Sequence, residues 1–218
     1  FTWRIIRQIV TCGTPTFLNN IAGRVTSILM NTVLLGVGGA AAVSVYGILM
    51  YADGIVMQFL YGMCDSLQPA VGYNWGAGRR DRVLAIEKRC FLAAAVLSVL
   101  ASMVLFTFPG QLTRLFMSDS EPEVYAMAVP ALRLFCLTYL TRWISFATQS
   151  FMSAVEKPVQ ASLLSISTAL VFPVLLIAAL WPFGLSGLWF NMSGTALLAA
   201  AVAVLVLLDF RRRCWKKT

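Results

Sequence analysis

Long apolar stretches dominate the sequence, and short segments rich in charge, glycine or proline separate them. A helix needs about 20 apolar residues to cross the roughly 30 Å hydrocarbon core of a bilayer. The pattern predicts an all-α fold, a polytopic transmembrane bundle of six helices. Their predicted ranges are 14–36, 43–72, 90–108, 123–155, 159–181 and 188–209. The second and fourth are longer than one crossing requires, so we expect them to tilt, bend or project beyond the membrane.

The two ends of the chain are more basic than the predicted bundle at residues 13–210. Residues 1–12 mix Arg4 and Arg7 with apolar side chains, which predicts a short helix or linker lying in the cytoplasmic membrane surface. Residues 211–218 predict a basic cytoplasmic tail. The chain starts at Phe1 and shows no pattern of a signal peptide, so we expect it to be a piece of a longer protein.

Composition agrees with a membrane solvent. Of 218 residues, 59% are hydrophobic and 12% charged, and the mean hydropathy is +0.79, more apolar surface than one soluble core can hide. The net charge of +8 comes from residues in short loops and at the chain ends, which argues against nucleic acid as a partner. Five scattered cysteines without a CxxC pair, and no histidine, support neither a metal site nor a disulfide framework.

The distribution of cations predicts the orientation. With six helices and cytoplasmic ends, the opposite side of the membrane holds only Arg114, whereas most other cations lie on the cytoplasmic side. This bias follows the positive-inside rule. The cytoplasmic cations are Arg4, Arg7, Arg79, Arg80, Arg82, Lys88, Arg89, Lys157, Arg211, Arg212, Arg213, Lys216 and Lys217.

A turn rich in glycine follows the second predicted helix. Pro69 cannot donate a backbone hydrogen bond, and the nearby glycines permit the backbone conformations of a tight turn. We expect the helix to end at Gly72 and the turn to be structural. Its signature residues are Gln68, Pro69, Gly72, Tyr73, Asn74, Gly76 and Ala77.

Polar residues recur at helical spacing on three of the six helices. The stripes are Asn20, Arg24, Ser27 and Asn31 on the first helix, Gln58, Tyr61, Asp65 and Gln68 with Asp53 at their border on the second, and Thr138, Arg142, Ser145 and Gln149 on the fourth. A charge facing lipid would cost about 2.5 to 3.5 kcal/mol, so we expect the stripes to share a wet cavity. The alternative, in which these residues only join helices, is open, above all for Ser27, Thr138 and Ser145.

Depth suggests a partner for one acid. Arg24 and Asp53 each lie about ten residues inside their predicted helices, so both are about 15 Å deep, near the membrane midplane. Our hypothesis is an intramembrane ion pair that a proton or a cationic substrate opens, or else a permanent structural pair. In the first case, Asp53→Asn should change transport and its pH dependence.

The signature turn resembles the multidrug and toxic-compound extrusion (MATE) family of secondary antiporters. The resemblance extends along the chain through Gly13, Pro15, Tyr46-Gly47, Phe108-Pro109, Leu115-Phe116, Gly184-Leu185, Gly187 and Trp189. It implies a twelve-helix fold of two lobes around a central cavity, of which this chain is the C-terminal lobe and lacks the N-terminal one. Several members of the family carry a glutamate on the first helix of this lobe, but residues 19–24 hold no acid here.

The resemblance implies export of cationic, lipophilic compounds in exchange for H⁺ or Na⁺ across a bacterial inner membrane. The expected cavity residues are Asn20, Arg24, Asn31, Asp53, Tyr61, Asp65, Gln68, Arg142 and Gln149. The alternative within the superfamily is a flippase for a lipid-linked oligosaccharide, which Arg24, Arg133 and Arg142 keep open. An enzyme is not expected, since the chain has no histidine and no pair of carboxylates at catalytic spacing. A purely structural subunit is the remaining class.

Overall fold

The computed structural model describes residues 2–116 and 122–215, and within these ranges the chain is almost entirely helical and has no β-strand. The helices are α1 (Trp3–Gly76), α2 (Arg80–Thr107), α3 (Pro109–Phe116), α4 (Pro122–Phe135), α5 (Leu137–Ala154), α6 (Pro158–Ile166), α7 (Phe172–Leu180) and α8 (Gly184–Trp215). A π-helical turn (Ser167–Val171) joins α6 to α7, and a 3₁₀ turn (Trp181–Phe183) joins α7 to α8. The predicted all-α fold is confirmed.

Most apolar side chains of these helices face outward. Only 39%, 22% and 22% of the residues are buried in the most apolar stretches of α1, of α2 and of the segment from α6 to α8. Phe59, Leu92 and Leu205 are each about two-thirds exposed. A continuous apolar surface of this kind is unstable in water but is what lipid requires. The outer surface is therefore that of a membrane protein.

Two glycines reverse the direction of long helices. Gly39 (φ 66°, ψ −163°) and Gly184 (φ 63°, ψ −147°) adopt conformations that a residue with a Cβ atom avoids. Gly39 divides α1 into a first arm (residues 3–38) and a second arm (residues 40–76). The two arms lie side by side and run in opposite directions, so that Asn20 of the first and Gln58 of the second line one cavity. Gly184 does the same for α7 and α8.

By length and composition, three helices among the described residues could cross a membrane, or four if the bent pair α4–α5 counts as one span. Two of the three contain a reversal, at Gly39 and at Gly184. Counting each reversal as a helix end would yield the six rods expected from the sequence. The number of membrane crossings itself stays a prediction.

Several predicted boundaries differ from the structure. No helix end separates residues 1–12 from the bundle, because α1 runs unbroken from Trp3 to Gly39. The second arm continues through Pro69 and Gly72 to Gly76, and the turn itself is residues 77–79, where Gly78 has a positive φ of 71°. At the other end α8 extends to Trp215, so the first part of the predicted tail is helical, and residues 216–218 lie outside the described residues.

The predicted fourth helix, residues 123–155, is broken. Helices α4 and α5 meet at Cys136 with a bend of 45°. Serine hydroxyls of neighbouring helices bind the carbonyl groups at the break: Ser193 Oγ donates to Leu134 O at 2.8 Å, and Ser102 Oγ donates to Cys136 O at 3.0 Å. Such bonds replace the water that an irregular backbone lacks inside a bilayer.

Pro173 produces a second irregularity, in the fifth predicted helix. Proline has no N–H group, so the carbonyl of Ala169, four residues earlier, loses its helical partner. The Thr26 hydroxyl of the first arm donates a hydrogen bond to this carbonyl. Asn191 Nδ2 of α8 donates to the carbonyl oxygen of Pro173 at 2.9 Å. The first arm therefore binds the backbone of the π-helical turn, and α8 binds the backbone of α7 directly after it.

The basic segments gather at one end of the bundle. A buried cluster there joins the ends of α1, α5 and α8 to the starts of α2 and α6, and includes Val71, Val83, Phe151, Ala161 and Phe210. The buried carboxylate of Glu87 accepts a hydrogen bond from Arg211 Nη2 at 2.9 Å. The structure thus places the termini of these helices together, as the predicted topology requires. Which side of the membrane this end faces stays a prediction.

The reversal at Gly39 yields a stability test. In the full-length protein, Gly39→Ala should lower the free energy of unfolding by about 1 to 3 kcal/mol, because alanine is strained in this conformation. Gly36→Ala is the matched control, since Gly36 is helical and an added Cβ would meet nothing within 4 Å. Denaturant unfolding in mixed micelles measures both, and equal stabilities of the two variants would contradict a reversal that depends on Gly39.

Candidate functional site

A cavity of about 470 Å³ opens between the two arms of α1, α5, the π-helical turn and α8. We call it the inner cavity. Its wall is rich in polar side chains although the surrounding bundle is apolar. The polar lining residues are Asn20, Arg24, Thr26, Ser27, Tyr46, Asp53, Tyr61, Thr138, Arg142, Thr168, Asn191 and Thr195.

Asp53 is the buried acid of the inner cavity, with 9% of the residue exposed. Its Oδ1 atom accepts a hydrogen bond from the Tyr139 hydroxyl at 2.7 Å and another from Arg142 Nη1 at 2.8 Å. The Asp53–Arg142 contact is also an ion pair, and both side chains are mostly buried. A carboxylate removed from water needs such compensation. The three residues therefore form one charge-neutral cluster.

The predicted Arg24–Asp53 pair is wrong. Both residues line the inner cavity, as their depth suggested, but Asp53 pairs with Arg142 of α5. Arg24 is exposed on the cavity wall and makes no ion pair with any described residue. The position of a residue along its helix determines how deep its side chain lies in the membrane. Which charged partner it contacts depends on the helix that packs beside it, here α5.

The bend between α4 and α5 helps to position this cluster. Tyr139 and Arg142 are three residues apart and lie in the first two turns of α5, which begins after the break at Cys136. Residues three apart on a helix share a face, so both can reach the same carboxylate. The polar stripe on this helix named Arg142 and omitted Tyr139. The i, i+3 spacing to Arg142 was the signal that could have identified it.

Two aromatic rings line the inner cavity on its side toward the basic end. The rings of Tyr61 and Phe146 meet edge to face with centroids 5.0 Å apart. The Arg142 guanidinium lies 5.6 Å from the centroid of the Phe146 ring. Edge-to-face packing and a cation over a ring face are both favourable arrangements of the aromatic quadrupole. The pair therefore forms an ordered wall attached to the Asp53 cluster.

A second cavity, of about 300 Å³, lies beyond this wall, and we call it the outer cavity. Tyr61 and Phe146 line both cavities. The outer cavity contains Asp65, whose Oδ1 accepts hydrogen bonds from Gln68 Nε2 at 2.9 Å and Ser150 Oγ at 3.0 Å. Its polar lining residues are Asn20, Gln58, Tyr61, Asp65, Gln68, Gln149, Ser150 and Ser153.

The structure brings most of the predicted cavity residues together in one of these two places. Asn20, Arg24, Asp53, Tyr61 and Arg142 line the inner cavity; Asn20, Tyr61, Asp65, Gln68 and Gln149 line the outer one. Asn31 lines neither. Their part in transport stays a prediction.

One polar residue of the stripes joins two helices, as the alternative held: the hydroxyls of Thr138 on α5 and Ser193 on α8 are 3.1 Å apart. Ser145 Oγ instead donates to the carbonyl of Arg142 within its own helix. The signature turn also makes structural contacts: Asn74 Nδ2 donates to Ala70 O at 2.8 Å. Among the described residues, no group of three histidine, cysteine or acidic side chains is placed to hold a metal ion.

Comparison with known proteins agrees with this architecture. The family model described as MatE matches residues 15–179. The multidrug export protein MepA of Staphylococcus saprophyticus is 26% identical over 212 residues, which cover 97% of this chain and 46% of that protein. MepA of Staphylococcus aureus is 26% identical over 210 residues, covering 96% and 46%. The chain thus spans about half the length of the curated relatives it matches.

Solved structures share the fold. A MATE structure in complex with MaL6 superposes with a TM-score of 0.92 at 19% identity, over 100% of this chain and 49% of that one. A MOP superfamily transporter from Pyrococcus furiosus, described as having a binding pocket of reverse polarity that suggests a different function, superposes with a TM-score of 0.91 at 19% identity and the same coverage. At this identity, the likeness concerns the fold alone.

The Asp53 cluster yields a second test. Arg142→Gln should destabilise the full-length protein by about 3 to 5 kcal/mol, because it leaves a buried carboxylate without its countercharge. Arg24→Gln, a matched loss of a cavity arginine, should change the stability by no more than about 0.5 kcal/mol. Unfolding in mixed micelles measures both. The double variant Asp53→Asn/Arg142→Gln should recover part of the loss, and equal effects of the two arginine variants would contradict the pairing.

Proposed function

Because this chain belongs to the MatE family, we propose that it is the C-terminal lobe of a secondary active antiporter. The antiporter exports cationic, lipophilic compounds of the drug type in exchange for H⁺ or Na⁺. Its partners are the bilayer, the small-molecule substrate and an N-terminal lobe, which the relatives' double length supports. We place it in a bacterial inner membrane with both ends of the chain in the cytoplasm, and we do not assign it an enzymatic activity.

The buried cluster of Asp53, Tyr139 and Arg142, of which Asp53 and Arg142 line the inner cavity, carries this proposal. Ionisable groups inside a membrane bundle are costly, and they are typical of ion and substrate pathways. Asp53 is the acid that faces the inner cavity. A proton or Na⁺ that binds its carboxylate weakens the attraction of Asp53 for Arg142.

The magnitude of this effect suits a switch. Losing one partner of a buried ion pair costs about 3 to 5 kcal/mol. Moving a two-state equilibrium from 1:99 to 99:1 requires about 5.5 kcal/mol. If the pair is intact in one state of the transporter and open in the other, binding of an ion at Asp53 supplies much of that difference. Rocking of the two lobes then exposes the cavity to alternate sides.

One observation favours a second candidate, a flippase for an anionic lipid-linked oligosaccharide. Asp53 is neutralised by Arg142, while Arg24 makes no ion pair with a described residue, so this lobe contributes a net positive charge to the inner cavity. Such a cavity suits a pyrophosphate headgroup better than a cation.

Ion-driven export tests the first candidate. In cells that express the full-length protein, ethidium should accumulate less than in control cells, and an uncoupler or a Na⁺ ionophore should abolish the difference. Asp53→Asn should reduce export at least about tenfold, because a loss of about 1.4 kcal/mol of coupling is already tenfold. Asp209→Asn is the matched control, since Asp209 is exposed and pairs with Arg213 on the surface of α8.

Two results would contradict an antiporter. One is export that persists after both gradients are dissipated, and the other is an Asp53→Asn variant that keeps its full ion dependence at wild-type abundance. Flipping of a lipid-linked oligosaccharide in proteoliposomes, without export of ethidium, would establish the second candidate instead. Arg24→Gln should then reduce flipping.

A further inference from the structure

The two cavities carry opposite charge. In the inner cavity Asp53 and Arg142 cancel, and Arg24 remains as a cation. In the outer cavity Asp65 is the one acidic or basic side chain among the described lining residues, and it makes no ion pair with any described residue. Its partners are neutral: the amide of Gln68 and the hydroxyl of Ser150. The carboxylate of the outer cavity therefore has no countercharge among the described residues, whereas the carboxylate of the inner cavity is already paired with an arginine.

The two acids are well separated. Asp53 and Asp65 belong to the same unbroken arm of α1, so Asp65 lies about 18 Å further toward the basic end at a rise of about 1.5 Å per residue. The edge-to-face pair of Tyr61 and Phe146 stands between them and lines both spaces. At this distance, a ligand that contacts Asp65 does not contact Asp53 unless it is longer than a drug-sized molecule.

The chemistry of the outer cavity points to one class of ligand. A carboxylate and aromatic rings are the two groups that recognise organic ammonium and phosphonium ions. A volume of about 300 Å³ is at the lower limit of small-molecule sites and far exceeds what a bare Na⁺ ion fills. The amide and hydroxyl groups of Gln58, Gln149 and Ser153 add polar contacts without adding charge.

We propose that the outer cavity is a separate binding site for a lipophilic organic cation, with Asp65 as its countercharge and the Tyr61–Phe146 pair as the partition from the inner cavity. The assignment deepens the proposed export function and rests on it for its physiological meaning. A cation is captured at Asp65 at the basic end of the bundle. It crosses the partition only when the aromatic pair separates, so Tyr61 and Phe146 determine which cations pass.

Equilibrium binding of tetraphenylphosphonium to the purified full-length protein tests the site without any ion gradient. Asp65→Asn should weaken binding at least about tenfold, because its carboxylate is the one charged group among the described residues that line this cavity. Asp209→Asn, the same chemical change at the same end of the bundle but outside the cavity, should bind like wild type. Binding of triphenylphosphine oxide, an uncharged analogue, should be unchanged in Asp65→Asn.

The controls separate the possible failures. Equal tetraphenylphosphonium affinity in wild type and Asp65→Asn overturns the site. A parallel loss of the uncharged analogue also overturns it, since the acid would then act through the folded structure. Loss of ²²Na⁺ binding in Asp65→Asn, with tetraphenylphosphonium binding intact, overturns the assignment to an organic cation. Weakened binding in a protein that exports nothing supports the site while rejecting the export function.

Discussion

The scarcity of hydrogen-bond donors inside hydrocarbon governs this structure. An unpaired carbonyl costs several kcal/mol where there is no water, so a helix can break only beside a donor. Thr26 donates to the carbonyl of Ala169, four residues before Pro173. Ser193 and Ser102 donate to the carbonyl groups at the bend between α4 and α5. Thr26, Ser102 and Ser193 each interrupt an apolar stretch of the sequence. In the structure, their hydroxyl groups bind the carbonyl groups at irregular points of neighbouring helices.

The bends serve the polar site. The break at Cys136 comes directly before Tyr139 and Arg142, and the irregular turn ahead of Pro173 lines the inner cavity through Thr168 and Ala169. Regular helices packed along their whole length would leave less room for a cavity of about 470 Å³. Irregular backbone at membrane depth is tolerated where it is buried in protein or lines a cavity, and both cases occur here.

The two acids differ in their partners: Asp53 forms an ion pair, whereas Asp65 has only neutral hydrogen-bond donors among the described residues. Asp53 receives two charged or phenolic donors, whereas Asp65 receives an amide and a hydroxyl. Separating the buried Asp53–Arg142 pair would cost free energy. The neutral partners of Asp65 leave its negative charge uncompensated among the described residues. The two carboxylates lie at different depths in the bundle, and the Tyr61–Phe146 pair lines both cavities between them.

The apolar pattern alone determined the fold class, the solvent and the helices that carry polar stripes, because lipid demands long unbroken apolar runs and penalises every charge in them. It also determined depth, which is why Arg24 and Asp53 line the same cavity. The partner of Asp53 was decided only by tertiary packing. The inner cavity is bordered by both arms of α1, α5, the π-helical turn and α8. The position of α5, beside a bend where hydroxyls of two other helices bind the carbonyl groups, puts Arg142 Nη1 2.8 Å from Asp53. The ends of the helices were likewise decided by neighbours, since Pro69 and Gly72 stay helical where α1 packs closely against α5 near Ala154. A one-dimensional pattern records how deep a side chain lies and on which face, but not which neighbouring helix turns toward it.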